Sequence, residues 1–476
     1  MTAQRPQRDV AVVGSGVSGL VAAHVLSRSA RVTLYEADAR LGGHAHTHDV
    51  DLGDRTIAVD SGFIVHNDRT YPTLLRLFAE LGIETQETDM SMSVRADADD
   101  LEYAGGKGTP GLLPSLRTAA RPRYLRMLAE VTRFHRDARA LLDSPVEDDA
   151  GVGPTVAEFV QQHGYSEDLR RWFLTPLVAA VWSCEPDDAQ AYPARSLFTF
   201  LRHHGMLGVL GSPAWRTVVG GSRVYVERVA ARLHRVRLST PVTSVTEDGE
   251  GVTLALPGGE TARHDAVVIA AHAPQALAML GEPTPEQQDV LGAIRYSRNV
   301  ARMHTDTSIL PRNPRARASW NYLVPDRTDD DTDHDATHPF ADPRGTSDER
   351  STARTQADLD GGVIVTYDLT RLQRLRTGER RILVTLGGEH LIDPSSVIAT
   401  MTYEHPLYTA ESVAAQQRLP EISTDRIAFA GAYHGWGFHE DGCASGVRAA
   451  VSLGARDLGG EDAGERRSDG LAVVAG

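Results

Sequence analysis

The chain has almost no lysine. Lys107 is the only one, and the other 48 of its 49 basic residues are arginine. Codon bias in a GC-rich genome accounts for the swap. It still leaves no ammonium side chain anywhere past residue 107. Cysteine is equally scarce. Cys184 and Cys443 cannot build a disulfide framework or a multi-cysteine metal site, and a reducing, cytosolic setting fits such usage. Base is short of acid, 49 against 64, for a formal net charge of −15 over 476 residues. Nucleic-acid binding is excluded on that balance, because phosphate recognition needs a basic footprint. Broad attachment to anionic lipid is disfavoured, although transient membrane contact is not. No run reaches the ~18 apolar residues of a membrane span. No secretory signal is visible either: residues 1–9 are polar and the apolar run that follows is dense with glycine. What remains is an ordinary globular composition, 41% hydrophobic and 24% charged. At roughly 100–200 residues per domain it makes two or three domains.

The acidity is concentrated. Residues 325–360 hold 11 Asp/Glu against 4 Arg with few apolar residues, a net of 4 − 11 = −7. Such a segment buries too little surface to offset its ordering entropy and reads as a disordered insertion. The rest of the chain carries about −8, unremarkable for an enzyme of this size.

Residues 10–13 form a short apolar run, read as a buried strand, followed by Gly14-Ser-Gly16-Val-Ser-Gly19 and a helical pattern over residues 20–26. A second strand, residues 31–35, ends at Glu36. In this unit Gly14 permits the tight turn, Gly16 lets the backbone approach a pyrophosphate at the helix N-terminus, and Gly19 lets the helix lie close on the sheet. Glu36, 22 residues after Gly14, stands where a carboxylate accepts hydrogen bonds from an adenosine ribose. The pattern therefore predicts dinucleotide binding. It does not by itself separate NAD from FAD. Helical patterns follow at residues 62–81, 121–142, 155–174 and 224–233, and strands return at 241–246, 251–256 and 265–271.

The next segment, Arg40-Leu-Gly42-Gly43-His-Ala-His-Thr47, has the form R-x-G-G-x-x-x-T, and Asp60-Ser-Gly62 follows it. Together these resemble the second FAD signature of the flavin amine oxidase, protoporphyrinogen oxidase and phytoene desaturase superfamily. Pro241-Val242-x-Ser-Val245 and residues 265–270 resemble its returning strands. Residues 426–433 resemble its closing strand, ahead of His434-Gly-Trp436-Gly437-Phe438-His439-Glu440-Asp441-Gly442. A finer resemblance, carried by residues 176–183, Gly220-Gly221-Ser-Arg and the Gly-Phe-His-Glu-Asp-Gly stretch, is to a bacterial subgroup associated with cyclopropane or methyl-branched fatty-acid synthesis.

The resemblance implies FAD as cofactor and an α/β fold. A discontinuous Rossmann-like FAD-binding domain (residues 1–100, 216–290 and 421–455) would join a mixed α+β substrate domain (a helical part at 101–215 and a sheet at 291–420). Residues 456–476 form a flexible tail. Gly14, Gly16, Gly19, Glu36, Arg40, Gly42, Gly43 and Thr47 would hold one end of the cofactor. Val242, through its backbone, Gly431, Gly437, Asp441 and Gly442 complete the site. The N-terminus of the helix after the closing segment would face the pyrimidine end of the flavin.

His434 and His439 flank the segment expected under the flavin and are candidates for acid–base or hydrogen-bonding roles; structural histidines in a crowded turn are the alternative. Tyr433, Trp436 and Phe438 are candidates to wall the substrate site, with core packing as the alternative. Cys443 reads as a small buried residue. His44, His46 and His48 alternate along an extended segment, but without a carboxylate or cysteine partner they are not read as a metal site. Amine oxidases of the superfamily usually hold a water between a lysine and the flavin, and this chain has no lysine there. A desaturase-like hydride abstraction from carbon needs none. Trp172, Phe173, Trp182, Phe198, Phe200, Met206 and Leu207 are candidates for an apolar tunnel or for core. The expected function is hydride transfer to FAD from a small hydrophobic, lipid-like substrate, fatty acyl or isoprenoid. Two alternatives stay open: an amine or porphyrinogen oxidase, and a non-catalytic flavoprotein partner in a lipid-modifying complex.

Overall fold

The computed structural model describes residues 7–145, 153–182, 186–208, 212–325 and 363–458. The acidic stretch beyond residue 325, the tail beyond residue 458, and Cys184 lie outside them.

A five-stranded parallel sheet runs in the order Arg235–Arg237, Arg31–Tyr35, Asp9–Val13, Ala266–Ile269 and Ile427–Phe429. Its central strands are near-continuous valine and isoleucine, as a sheet covered on both faces requires. Its strands come from three distant segments of the chain, which is the discontinuous α/β architecture the glycine motif and the returning strands predict. The helix after the glycine turn, Val17–Leu26, is buried along its whole length. It lies between the sheet and the closing helix His439–Ser452, so both of its faces are apolar and it shows no amphipathic stripe.

A second, seven-stranded sheet forms the other layer. Its order is Val397–Pro406, Tyr296–His304, Leu383–Leu386, Val365–Asp368, Trp320–Leu323, Met92–Ala96 and Leu101–Gly105. All pairs are antiparallel except Trp320–Leu323 with Met92–Ala96. This corrects one expected boundary. The division at residue 100 cuts through the hairpin 92–105, whose strands pair with each other and with the second sheet. No compositional change marks the passage of the chain from one sheet to the other.

The helical cap is built from Pro122–Asp143, Val156–Gln162, the run from Glu167 to Trp182, and Ala194–His203. The helix predicted over residues 155–174 is broken in two. Thr155 and Glu158 form a capping box at its start. Gly164, at φ +60°, supplies the left-handed residue that ends the first piece, and Ser166 caps the next. Trp172, Trp182, Phe198, Phe200 and Leu207 are buried in the core of this cap, so the packing alternative holds for them. Among the described residues no helix is long and apolar enough to cross a membrane.

Candidate functional site

The glycines of the opening turn differ in what surrounds them. A Cβ on Gly14, which sits at φ +96°, would meet the Ala270 carbonyl oxygen at 2.5 Å. On Gly19 it would meet the Gly14 oxygen at 1.9 Å. Those two glycines are required by the protein's own packing. A Cβ on Gly16 would meet nothing within 4 Å. Gly16 is the N-cap of Val17–Leu26, and no side chain caps that helix. An uncapped helix N-terminus beside an open glycine is an anion cradle. Glu36 accepts hydrogen bonds from the Ser15 N–H at 2.8 Å, the Ser15 hydroxyl and the Asp38 N–H at 2.8 Å. The acid thus fastens the turn as well as standing at its edge.

The second glycine loop packs on the first. Gly42 donates its N–H to Ser15 Oγ at 3.0 Å, and a Cβ on Gly43 would reach the Gly16 Cα at 3.1 Å. Both glycines have positive φ, +110° and +56°. Arg40, beside them, has no carboxylate partner among the described residues, and its guanidinium bonds only the Leu41 carbonyl, at 3.4 Å. Thr47 lies deeper. Its hydroxyl donates to Asp60 and accepts the Arg223 N–H at 2.9 Å. Asp60 also accepts the Ser222 N–H at 2.9 Å and the Ser222 hydroxyl at 2.8 Å, and Gln373 bonds its backbone on both sides. Burial pushes the Asp60 carboxyl up to about 6. Asp60-Ser-Gly62 and Gly220-Gly221-Ser-Arg are therefore halves of one contact. Sequence shows both motifs and gives no signal that they meet. Val242 is buried, and neither its N–H nor its C=O makes a hydrogen bond among the described residues.

In the closing segment most polar and glycine positions serve the protein itself. Tyr433 has the surroundings of its core-packing alternative. Its ring lies across Gly431, where a Cβ would come within 2.1 Å of the ring, and the residue is buried in the core. Gly431 is thus a seat for that ring, with its N–H donated to Ser445 Oγ at 3.0 Å. Gly442 is likewise a helix-packing residue: its Cβ would strike Val17 Cγ1 at 2.6 Å. Gly437, at φ +89°, faces the Tyr408 hydroxyl. Asp441 accepts the N–H groups of Trp436 and Phe438 at 3.0 and 2.9 Å, pinning the loop over the first turn of the closing helix. Burial pushes its carboxyl up to about 7. When ionised it offsets the positive end of that helix. Glu440, which sequence reading passes over, accepts the Thr73 and Leu74 N–H groups at 2.9 and 3.0 Å, so it caps the helix Pro72–Leu81.

The two candidate histidines separate. His439 stacks on Phe63 at 3.6 Å and shares a hydrogen bond of 3.2 Å between its Nε2 and the Tyr225 hydroxyl, a positioning arrangement. His434 has its Nε2 buried without a partner. Burial lowers both to about 3, so both are neutral, weak bases that take part in hydrogen bonds as uncharged imidazoles. Trp436 and Phe438 are partly buried against the cap: Phe438 stacks on Phe200 at 4.9 Å, and Trp182 Nε1 donates to the Trp436 carbonyl at 3.1 Å.

A histidine cluster at the seam of the two sheets is the feature sequence reasoning misses. His44, from the second glycine loop, lies 5.4 Å from the His405 ring and 6.3 Å from the His272 ring, centre to centre. Asn299 Nδ2 donates to His405 Nδ1 at 3.2 Å, and His272 Nδ1 pairs with Glu404 at 2.9 Å. His46 and His48 lie with ring centres 4.0 Å apart, tilted by 33°, beside Tyr403. Burial lowers His44, His46, His48, His272 and His405 alike. Among the described residues no three histidine, cysteine or acidic side chains are placed to hold a metal. Cys443 is a buried free thiol, pushed up by burial. The sole lysine is elsewhere: Lys107 Nζ donates to the Arg317 carbonyl at 2.7 Å.

These residues fit an extended dinucleotide. Gly16 leaves space, the helix N-terminus and Arg40 supply positive charge, the Val242 backbone leaves a donor and an acceptor, and His44 Nε2 and His434 Nε2 are buried polar atoms without partners. Comparison with known proteins agrees. Residues 17–347 match the family model described as flavin containing amine oxidoreductase. The flavin-containing amine oxidase A of Bos taurus is 26% identical over 261 residues, 52% of this chain and 46% of that one. Coproporphyrinogen III oxidase of Mycobacterium leprae is 24% identical over 296 residues, 58% of this chain and 62% of that one. The chain thus spans about half to three fifths of the length of these curated relatives. Among solved structures, cyclohexylamine oxidase from Brevibacterium oxydans superposes with a TM-score of 0.64 at 18% identity, covering 94% of this chain and 99% of that one.

Proposed function

The chain belongs to the flavin-containing amine oxidoreductases, with FAD as cofactor, and from that premise we propose that it oxidises a hydrophobic acyl or isoprenoid chain at carbon. When bound, FAD accepts the hydride that such a substrate gives up. The protein's own residues supply the rest. Arg40 and the N-terminus of Val17–Leu26 would hold its diphosphate. Trp436 and Phe438, backed by Phe200 and Trp182, keep water from the reacting carbon. The proton lost with the hydride passes to solvent, because burial, which lowers His434 to about 3, makes that imidazole too weak a base to keep it; its unpartnered Nε2 offers a neutral hydrogen bond instead.

The observation that carries this reading is the character of the wall. It is aromatic, and its two carboxylates, Glu440 and Asp441, are engaged by backbone N–H groups. The chain also has no lysine past residue 107, where amine oxidases of the superfamily usually hold a water beside the flavin. A reducing, cytoplasmic setting is part of the proposal and rests on cysteine usage. A second reading, an amine or porphyrinogen oxidase, is supported by the names of the relatives. A non-catalytic flavoprotein partner in a lipid-modifying complex is the third.

Anaerobic mixing of the FAD-loaded protein with candidate lipids separates them. Bleaching of the visible flavin band by fatty-acyl or isoprenoid substrates is expected. Bleaching by amines or porphyrinogens alone, with hydrogen peroxide released in step with turnover in air, overturns the lipid reading. No bleaching by any of the three classes leaves the non-catalytic reading in its place. Lipid analysis of a host with and without the gene then names the substrate class.

A further inference from the structure

Three imidazoles meet at the seam between the two sheets, and none has a partner on its Nε2. His44 Nε2 is buried without one, and neither His272 nor His405 makes a hydrogen bond through Nε2 among the described residues. The last two are tethered through Nδ1 instead. His272 pairs with Glu404 and stacks on Tyr296 at 4.4 Å, ring centre to ring centre. His405 is held by Asn299.

The Asn299 contact also fixes a tautomer. The Ser297 hydroxyl gives its one hydrogen to the His405 carbonyl at 3.4 Å, so its oxygen accepts from Asn299 Nδ2, at 3.1 Å. The amide therefore turns its NH2 group toward both Ser297 and His405. His405 Nδ1 is an acceptor, and the single proton of the neutral ring sits on Nε2. Burial lowers His405 to about 4, which keeps that ring neutral. His272 has the reverse arrangement: its Nδ1 donates to a carboxylate and its Nε2 is bare.

The cofactor loops set the place of this cluster. Gly43 lies against Gly16, the His44 carbonyl accepts the Phe63 N–H at 2.7 Å, and Phe63 stacks on His439, the first residue of the closing helix. One line of contacts thus runs from the anion cradle past His44 to the second helix N-terminus. His405 meets that line at His44 from the second sheet, where the strands Val397–Pro406 and Tyr296–His304 pair. An N–H donor without a partner in such a place costs free energy unless a ligand accepts from it.

We propose that His405 donates its Nε2–H to the isoalloxazine ring of bound FAD, and that Asn299 is the positioning residue that keeps the proton on that nitrogen. Reduction places negative charge on the acceptor atoms of the ring, and a hydrogen bond to a charged acceptor is roughly twice as strong as one to a neutral acceptor. The donor therefore favours reduced over oxidised flavin and raises the reduction potential. The inference rests on FAD as cofactor and not on the substrate class.

The test is the reduction potential of the FAD-loaded protein, measured by dye equilibration without substrate. His405→Phe keeps the bulk of the ring and removes the donor. It is expected to weaken the hold on reduced FAD about tenfold more than that on oxidised FAD, which lowers the two-electron potential by about 30 mV. His405→Gln returns an N–H near the Nε2 position, and its ratio of the two affinities is expected within about a factor of two of wild type. Asn299→Leu leaves His405 in place but frees its proton to move to Nδ1, and a drop of about threefold is expected. An unchanged potential in His405→Phe overturns the inference. So does an equal drop in His405→Gln, because lost packing would then explain both. If His405→Phe does not retain FAD, the other two variants decide: a drop in Asn299→Leu with none in His405→Gln upholds the inference, and any other pair of results overturns it. The lipid reading is judged by turnover and the donor by potential, so the two fail separately.

Discussion

The opening turn, residues 14–19, and the closing segment, residues 431–446, are both glycine-rich, and glycine does different work in each. In the opening turn Gly14 and Gly19 answer to the fold while Gly16 faces open space. In the closing segment a Cβ on Gly431, Gly435, Gly437, Gly442 or Gly446 would come within 3 Å of the chain's own atoms. One stretch uses a glycine that leaves open space at a helix N-terminus. The other uses it to bring a tyrosine ring, a buried carboxylate and a neighbouring helix into contact with backbone. Glycine content alone does not distinguish the two uses, and the surroundings do.

Substitution should pull the two apart. The largest effect is expected at Gly446, where a side chain would meet the Ser18 oxygen at 2.3 Å. Gly446→Val should cost about 3 kcal/mol or more and lower the melting temperature of the apoprotein sharply. A melting temperature within a degree of wild type would mean that the helices do not cross as closely as described. Gly16→Val should do the reverse. Its backbone, φ −59° and ψ 172°, suits any residue, so the apoprotein should melt as wild type. FAD affinity, measured by titration, should fall about a hundredfold, about 2.7 kcal/mol. Unchanged FAD affinity would remove Gly16 from the cradle.

The two stretches also differ in buried charge. His434, His439 and Asp441 all lie in the closing segment, and His46, His66 and His405 are further histidines lowered by burial to about 3, 4 and 4. A histidine whose folded pKa lies below 6.5 binds its proton more readily when unfolded, so its contribution to stability is lost as pH falls from about 6.5 toward 4. Asp60 and Asp441, raised to about 6 and 7, act in the opposite sense over the same window. Five histidines outweigh two carboxyls. The melting temperature of the apoprotein should therefore drop by several degrees between pH 7 and pH 5, and a flat or rising profile would contradict the burial. In Asp441→Asn the amide oxygen can still accept the Trp436 and Phe438 N–H groups, but the opposing carboxyl is gone. The drop should steepen.

The smallest effect is expected at Tyr433. Its hydroxyl is buried without a partner, so Tyr433→Phe should be neutral or stabilise by up to about 1 kcal/mol, with substrate turnover unchanged. Altered turnover would return Tyr433 to the substrate wall.

The cofactor half was readable because its signals are local. A strand, a glycine turn, a helix and an acid at the end of the next strand follow one another within residues 10–36, and each element is set by neighbours in the chain. The R-x-G-G loop is local too. Other features were not readable, because their partners lie far away in sequence. Asp60 meets Ser222, Glu440 meets Thr73, and His44 meets His272 and His405. Residues 92–105 joined the second sheet because Trp320–Leu323 offered Met92–Ala96 a free edge, which nothing near residue 100 announces.

Sequence by itself determined the dinucleotide-binding unit, the flavin family and the absence of lysine past residue 107. Each of these depends on residue identity or short spacing, and a short-range backbone preference acts wherever the segment goes. Tertiary structure alone decided which glycines leave open space, which histidines keep an unpartnered nitrogen, and which buried carboxylates meet distant N–H groups. Those outcomes depend on what fills the space beside each side chain, and that space is bounded by segments up to several hundred residues away.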